Sequence, residues 1–209
     1  RLGQAGDVDA VLVHAPDAEK AFVAEGHAPY RRPIMYNTFV IVGPATDPAS
    51  VVDQSTAADA FAAIAGAQAP FVSRGDESGT HQKELDLWSM AAIRPEGRWY
   101  RSVGAGMGAA LNIAAGMDAY LLTDKASWLN FGNKAGLQLI FEGDPALFNQ
   151  YAYLPIPAGQ GGRDARQSAD ALEVWLVSAR GQDLIDGFEI AGQAVFVANA
   201  SQTVPAKSP

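Results

Sequence analysis

The chain has 209 residues, with 15 basic against 23 acidic side chains, for a formal net charge of −8, and it has no cysteine. Disulfides and cysteine-based zinc sites are therefore excluded, and an acidic balance without a Lys/Arg cluster speaks against a nucleic-acid binder. At 48% apolar residues the length suits one generous domain or two small lobes, while the longest apolar runs are far too short to cross a bilayer.

The chain opens at Arg1 without an initiator Met or a basic-then-apolar leader, which reads as a removed leader or a fragment. Residues 10–14 (AVLVH) are a continuous apolar run, and Pro16-Asp17 opens a helix to about residue 25 with Asp17 as its N-cap. Residues 34–42 (IMYNTFVIV) are rich in β-branched and aromatic side chains and stop at Gly43-Pro44, so they read as a strand. A turn-rich stretch, 47–56, precedes an Ala-rich helix over 57–65 with Phe61 and Ile64 on one side. Residues 71–73 form a short strand that runs into the glycine-rich turn 74–79. The spacing of Leu85, Trp88 and Ala92 predicts a helix over 80–92.

A strand over 99–103 follows, then a glycine turn, 104–108, leading into an apolar helix to about 116. Residues 119–123 read as a strand, Asp124 as the cap of a short helix, and 137–141 (LQLIF) as another strand. The segment 151–156 is extended and stopped by prolines, and 159–162 is a flexible break. Residues 164–179 make a long helix carrying Leu172, Trp175 and Leu176, with Gly181 as its stop. A second short helix over 183–187 and a last strand over 194–197 complete the chain. Short apolar strands alternating with helices predict α/β architecture with mostly parallel sheets. In such sheets ligands collect where strand ends meet helix N-termini.

Two strand-to-helix turns could carry chemistry. In the first, a strand delivers Ser73 and Arg74, Gly75 and Gly79 let the backbone bend tightly, and Ser78 and Thr80 stand where a helix starts. Free N–H groups, hydroxyls and one guanidinium suit an anion that offers only acceptors. The same residues also fit plain helix capping by Asp76 or Ser78, with Arg74 paired to Asp76 or Glu77. In the second, residues 103–111 (VGAGMGAAL) satisfy G-x-G-x-x-A, with Asp124 about twenty residues on, which is the outline of a dinucleotide fingerprint. Small residues that let a helix pack closely on the sheet explain that run equally. Neither turn has the Gly-Lys-Ser/Thr ending of a P-loop.

Ser73, Ser78, His81 and Asp76 lie close enough in sequence to suggest a hydrolase, although no G-x-S-x-G elbow is present. Three scattered histidines without H-E-x-x-H speak against a metal centre. Tyr100, Tyr120, Tyr151 and Tyr153 read as core or hinge aromatics with a partner for each hydroxyl.

The run from Val11 to Pro16, the stretch from Arg32 to Pro44, the block Ser73-Arg-Gly-Asp-Glu-Ser-Gly-Thr80, and the Gly104–Gly108 turn followed by Ala119-Tyr-Leu-Leu-Thr-Asp124 occur in this order. Together they resemble the tungstate-binding proteins of ABC-type uptake systems, type II periplasmic binding proteins related to the molybdate and sulfate binders. The resemblance implies an α/β fold of two lobes joined by two crossover strands: residues 1–43 with 154–209 as lobe 1, and 44–153 as lobe 2. It implies a tetrahedral oxyanion held between the lobes. Ser73, Arg74, Ser78 and Thr80 would contact it, Gly106 and Gly108 would offer backbone donors, and Tyr153 would stand where the chain crosses back. Asp76 would orient Arg74.

On the same grounds the chain is expected to be a monomeric, periplasmic or extracytoplasmic, solute-binding partner of a membrane permease, with tungstate or molybdate as ligand. No cofactor, no bound metal ion and no catalysis are expected. Family members begin with a strand bearing a Thr/Ser-rich ligand loop and then a helix. This chain begins just after both, so its first lobe is expected to lack that strand and helix. Two other readings stay open. One is an enzyme, either NAD-dependent through the Gly104 turn or a serine hydrolase through Ser78 and His81. The other is a binding module that has lost its ligand.

Overall fold

β-Branched and aromatic side chains crowd into residues 32–44, and they form the longest strand of the protein. The computed structural model describes residues 2–157 and 161–200. Its first half runs α1 (Leu2–Ala5), β1 (Ala10–Val13), α2 (Pro16–Ala24), β2 (Arg32–Pro44), α3 (Ala57–Gly66), β3 (Phe71–Ser73), α4 (Gly79–Met90) and β4 (Tyr100–Ser102). Then come α5 (Met107–Met117), β5 (Leu121–Asp124), α6 (Lys125–Asn130), β6 (Leu137–Phe141), β7 (Phe148–Pro155), α7 (Gly162–Val177), α8 (Ala179–Asp186), β8 (Glu189–Ile190), β9 (Gln193–Ala194) and β10 (Val197–Ala198).

The chain divides into two units, Arg1–Asn37 with Gln150–Pro209, and Thr38–Asn149. The changeovers fall at 37/38 and 149/150, where the sequence suggested 43/44 and 153/154. Pairing explains the difference: residues 39–42 bond to β5 of the second unit, and residues 152–155 to β1 of the first.

In the second unit the pairings give the strand order β4–β3–β5–β2–β6. β3 and β4 are parallel. Val72 N donates to Tyr120 O and Tyr120 N to Pro70 O, both at 2.8 Å, which ties β3 parallel to the start of β5. β2 takes β5 and β6 antiparallel on its two edges. Side chains alternate between the faces, as strand geometry requires. Phe39, Ile41, Phe71 and Leu122 pack with Phe61 and Ile64 of α3 and Leu87 and Trp88 of α4. Val40, Val42, Val72 and Leu121 pack with Leu111 and Ala114 of α5 and Trp128 of α6. Each fully buried large apolar side chain contributes about 2 kcal/mol, so this three-layer sandwich is the firm base on which the loops stand.

The first unit has the strand order β1–β7–β2–β10. Phe22 and Val23 of α2 cover one face with Leu154 and Ile156, and Leu176, Val177 and Ile185 of α7 and α8 cover the other with Ile34 and Tyr153. Among the registered pairings of the described residues, only those of β3 with β4 and with the start of β5 are parallel, contrary to the expected mostly parallel sheets. The reason is that β2 and β7 carry the chain between units in opposite senses, and their neighbours pair with them antiparallel.

Local expectations shift in four places. Ala15, not Asp17, caps α2; Pro16 takes the first helical turn, Ala15 N donates to Glu19 Oε1 at 2.7 Å, and Asp17 pairs with Lys20. The long helix ends at Val177 because Ser178 caps α8, its Oγ accepting from Gly181 N at 3.1 Å. Gly181 is no stop: it sits in the first turn of α8, where a Cβ would run into Trp175 O. Leu172 and Trp175 are half-exposed while Leu176 is buried, and the last strand is split into β9 and β10. The break expected at 159–162 lies partly outside the described residues.

Candidate functional site

β3 and β4 run parallel and end at Ser73 and Ser102, so the loops that follow them leave from one edge of the second unit's sheet, where α4 and α5 begin. The loops are knitted together: Val103 N donates to Ser73 O at 3.0 Å and Ala105 N to Arg74 O at 3.1 Å. Gly75 turns at φ +59°, and a Cβ there would land on Ser102 Oγ. Both its backbone angle and its close approach require glycine. Ser78 caps α4 by accepting His81 N at 3.3 Å, whereas Gly106 starts α5 with no side-chain cap. Among the described residues the N–H groups of Gly79, Thr80, Met107 and Gly108 make no hydrogen bond. First helical turns leave such donors free, and they carry the positive end of the helix dipole.

One cation and one acid stand in the first loop. Arg74 donates through Nε to Asp76 Oδ2 at 3.1 Å and through Nη2 to the same oxygen. Asp76 Oδ1 accepts from Ser78 N at 3.2 Å. Burial pushes the Asp76 carboxyl up, but the bonds from Ser78 and Arg74 outweigh it and hold the group below the usual carboxylate range. The Arg74 Nη1 group makes no hydrogen bond among the described residues, so one edge of the guanidinium remains available.

Beneath the loop lies a residue that the sequence reading missed. The buried face of α4 is Thr80, Glu84, Leu87 and Trp88, whereas Leu85, expected in the stripe, is 45% exposed. Glu84 is 2% exposed. Its Oε1 accepts the Tyr100 hydroxyl at 2.7 Å and the Trp88 indole N–H at 3.2 Å. Desolvation pushes its carboxyl up to about 7, against the lowering effect of the bonds from Tyr100 and Trp88 and of the nearby Ser73 hydroxyl. Burial and then the Glu84 charge push the Tyr100 hydroxyl up as well. Ser73 is wholly buried, on the α4 side of the sheet. Its Oγ reaches toward Glu84 and Tyr100 without completing a well-aligned bond to either. The available signal was the spacing 80, 84, 88, which places a carboxylate on the same helical face as Trp88.

The structure therefore brings Ser73, Arg74, Ser78, Thr80, Gly106 and Gly108 to one edge of one unit. Tyr153 belongs to the other unit, where it is buried and gives its hydroxyl to Ala169 O at 2.8 Å. Neither the dinucleotide turn nor the Ser78–His81 pair is assembled among the described residues. β3 lies between β4 and β5, so the Gly104 turn and Asp124 are not on the adjacent strands a dinucleotide fold needs, and Asp124 Oδ1 caps α6 through Ser127 N at 2.8 Å. Ser78 Oγ and His81 Nδ1 each accept a backbone N–H, from His81 and Glu77, instead of bonding each other. Among the described residues no group of three or more His, Asp and Glu side chains could hold a metal ion, and no helix is long and apolar enough to cross a membrane.

Comparison with known proteins agrees with this architecture. A family model described as a PBP superfamily domain matches residues 1–180. The tungstate-binding protein TupA of Peptoclostridium acidaminophilum is 39% identical over 206 residues, 97% of this chain and 72% of the relative. The solved tungstate-binding protein TupA of Desulfovibrio alaskensis G20 is 40% identical, covers 96% of this chain and 82% of its own, and superposes with a TM-score of 0.78. The tungstate ABC transporter structure from Geobacter sulfurreducens is 41% identical over 90% of this chain and 80% of its own, with a TM-score of 0.79. This chain belongs to the PBP superfamily and, within it, to the family of the tungstate-binding proteins.

Proposed function

We propose that this chain binds a tetrahedral oxyanion, tungstate or molybdate, as the solute-binding component of an ABC-type uptake system. In this reading it works outside the cytoplasmic membrane as a monomer, hands its ligand to a membrane permease, and catalyses no reaction. The observation that carries the reading is the pairing of family membership with an edge composed of donors. The Nη1 group of Arg74, the hydroxyl of Ser78, and the N–H groups at the starts of α4 and α5, including those of Thr80 and Gly108, supply the donors of that edge, with Gly106 capping α5. The two units are the two lobes of the family fold. Ser73 acts from beneath the loop, and Tyr153 contributes by fastening β7 to α7 rather than by touching the ion.

A fully deprotonated tetrahedral dianion offers only acceptors, and each charge-assisted bond to it contributes about 1.5–3 kcal/mol. Phosphate carries a proton near neutral pH, and a cradle whose one carboxylate, Asp76, is already engaged by Arg74 and Ser78 leaves that proton unpaired, which disfavours it. The net charge of −8 is no obstacle, because one guanidinium and a few aimed N–H groups set the local field. Titration calorimetry with tungstate, molybdate, sulfate and phosphate tests the reading. The expected result is one-to-one, submillimolar binding of tungstate or molybdate with phosphate at least about tenfold weaker. Equal binding of phosphate, or no heat with any oxyanion, would sink it.

A further inference from the structure

The oxyanion edge has a carboxyl group directly behind it. Glu84 lies one helical turn after Thr80 on the same buried face of α4, so it sits beneath the helix start whose N–H groups point outward. Among the described residues it has no cationic partner. The groups acting on it are the Tyr100 hydroxyl from β4, the Ser73 hydroxyl from β3 and the Trp88 indole one turn further along α4. The charged residues on the elements packed around it are engaged elsewhere. Arg74 holds Asp76, Lys83 donates to Ala146 O at 3.1 Å, His81 takes Glu77 N, and Asp124 of β5 caps α6. On α3 the facing residues are Ala60, Phe61 and Ile64, and Asp59 is exposed at the Thr56 cap. Asp86 and Arg101 are exposed.

Ser73 is the hinge between the two groups. It is the last residue of β3, its neighbour Arg74 carries the guanidinium, and its Oγ is buried without an aligned partner among the described residues. A hydroxyl has one proton to give. Resting on the oxyanion reading above, we infer that Glu84 is a positioning residue that couples anion binding at this edge to the uptake of one proton from solvent. Ionised, Glu84 draws the Ser73 proton inward and places an uncompensated negative charge under the dianion. Protonated, it becomes a donor itself, the charge is gone, and the Ser73 hydroxyl is free to turn toward the ligand.

Burial already raises this carboxyl toward neutrality, so the coupling operates in an ordinary working range. Tungstate binding is measured by calorimetry from about pH 6.5 to about pH 8.5, in buffers of different ionisation heat. Wild-type affinity is expected to fall about tenfold across that range, with close to one proton taken up per ion bound at the alkaline end. Glu84→Gln is expected to flatten the profile and abolish the uptake. Tyr100→Phe removes a bond that favours the ionised form, so it should move the midpoint to higher pH. In the ligand-free protein, Trp88 fluorescence should follow the same titration and lose it in Glu84→Gln. A Glu84→Gln profile with the wild-type slope overturns the inference, as does a midpoint unmoved by Tyr100→Phe, which decides alone if Glu84→Gln does not fold. Wild-type binding without any pH slope overturns this inference but leaves the oxyanion reading standing; no oxyanion binding at any pH overturns both.

Discussion

Arg74 and Asp76 are two residues apart and form an ion pair in which Nε stands 3.1 Å from Oδ2, with both side chains about four-fifths buried. Asp76 thereby fixes two of the three guanidinium nitrogens and leaves the third, Nη1, without a hydrogen bond among the described residues. Arg74→Ala removes that donor and also leaves Asp76 as an unpaired negative charge beside the anion. Tungstate affinity by calorimetry should fall by at least about a hundredfold, the equivalent of about 3 kcal/mol. Arg74→Lys should recover only part of it, since an ammonium cannot hold Asp76 and the ligand with fixed, separate nitrogens.

The Asp76 carboxyl is held below its ordinary value of 3.8, so in that region the unfolded chain binds more protons than the folded one. Its stabilising contribution is present above the unfolded value and is lost as pH falls through the lower folded value. Asp76→Ala should therefore destabilise the protein by about 1 kcal/mol at neutral pH, with the difference shrinking in acid. Urea unfolding at pH 7 and at pH 3 checks it; a difference that grows in acid contradicts the assignment.

Glu84 works in the opposite sense. Its carboxyl goes from 4.5 when unfolded to about 7 when folded, so between those values the folded state holds the extra proton. Stability should fall as pH rises through that window, by about 3 kcal/mol at most, and level off above it. Denaturant midpoints measured across the window in wild type and Glu84→Gln separate this from other groups: the slope should be absent in the variant.

The sandwich of the second unit was legible because its strands alternate cleanly. Phe39 and Ile41 face α3 and α4 while Val40 and Val42 face α5 and α6, and period two is a local property of the chain. The Ser78 and Asp124 caps and the turn at Gly75 were legible for the same reason. Glu84 was not, because an amphipathic reading counts apolar residues, and a buried carboxylate becomes affordable only once Tyr100, distant in sequence on β4, supplies its hydrogen bond. Nor were the unit boundaries: β2 runs through Asn37 and Thr38 as one strand, with no change in composition to mark the crossing. The strand directions depend on which segments meet after the chain has crossed, which no local pattern encodes.

Ser78 separates a cap from a nucleophile. Its Oγ accepts His81 N at 3.3 Å, and the imidazole is turned to Glu77 N. Ser78→Ala should cost about 1 kcal/mol of stability in urea unfolding, as the loss of a helix cap does. It should also weaken tungstate binding by removing a hydroxyl donor from the edge. Wild type and variant should hydrolyse an activated ester at the same background rate, and a wild-type rate that collapses in Ser78→Ala would revive the hydrolase reading.

Gly75 tests whether the loop geometry itself makes the site. At φ +59° an alanine is strained by about 1–2 kcal/mol before any contact is considered. Its Cβ would also land on Ser102 Oγ, so either the serine rotates or the loop lifts off β4. Lifting breaks the bond from Ala105 N to Arg74 O and swings the guanidinium away from the starts of α4 and α5. Gly75→Ala should therefore lose stability by about 2–3 kcal/mol and lose most tungstate binding as well. The double variant Gly75→Ala with Ser102→Gly removes the collision but keeps the strained angle. It should regain binding while staying about 1 kcal/mol less stable than wild type. If binding stays lost in the double variant, the backbone angle at Gly75, not the room beside Ser102, is what positions Arg74.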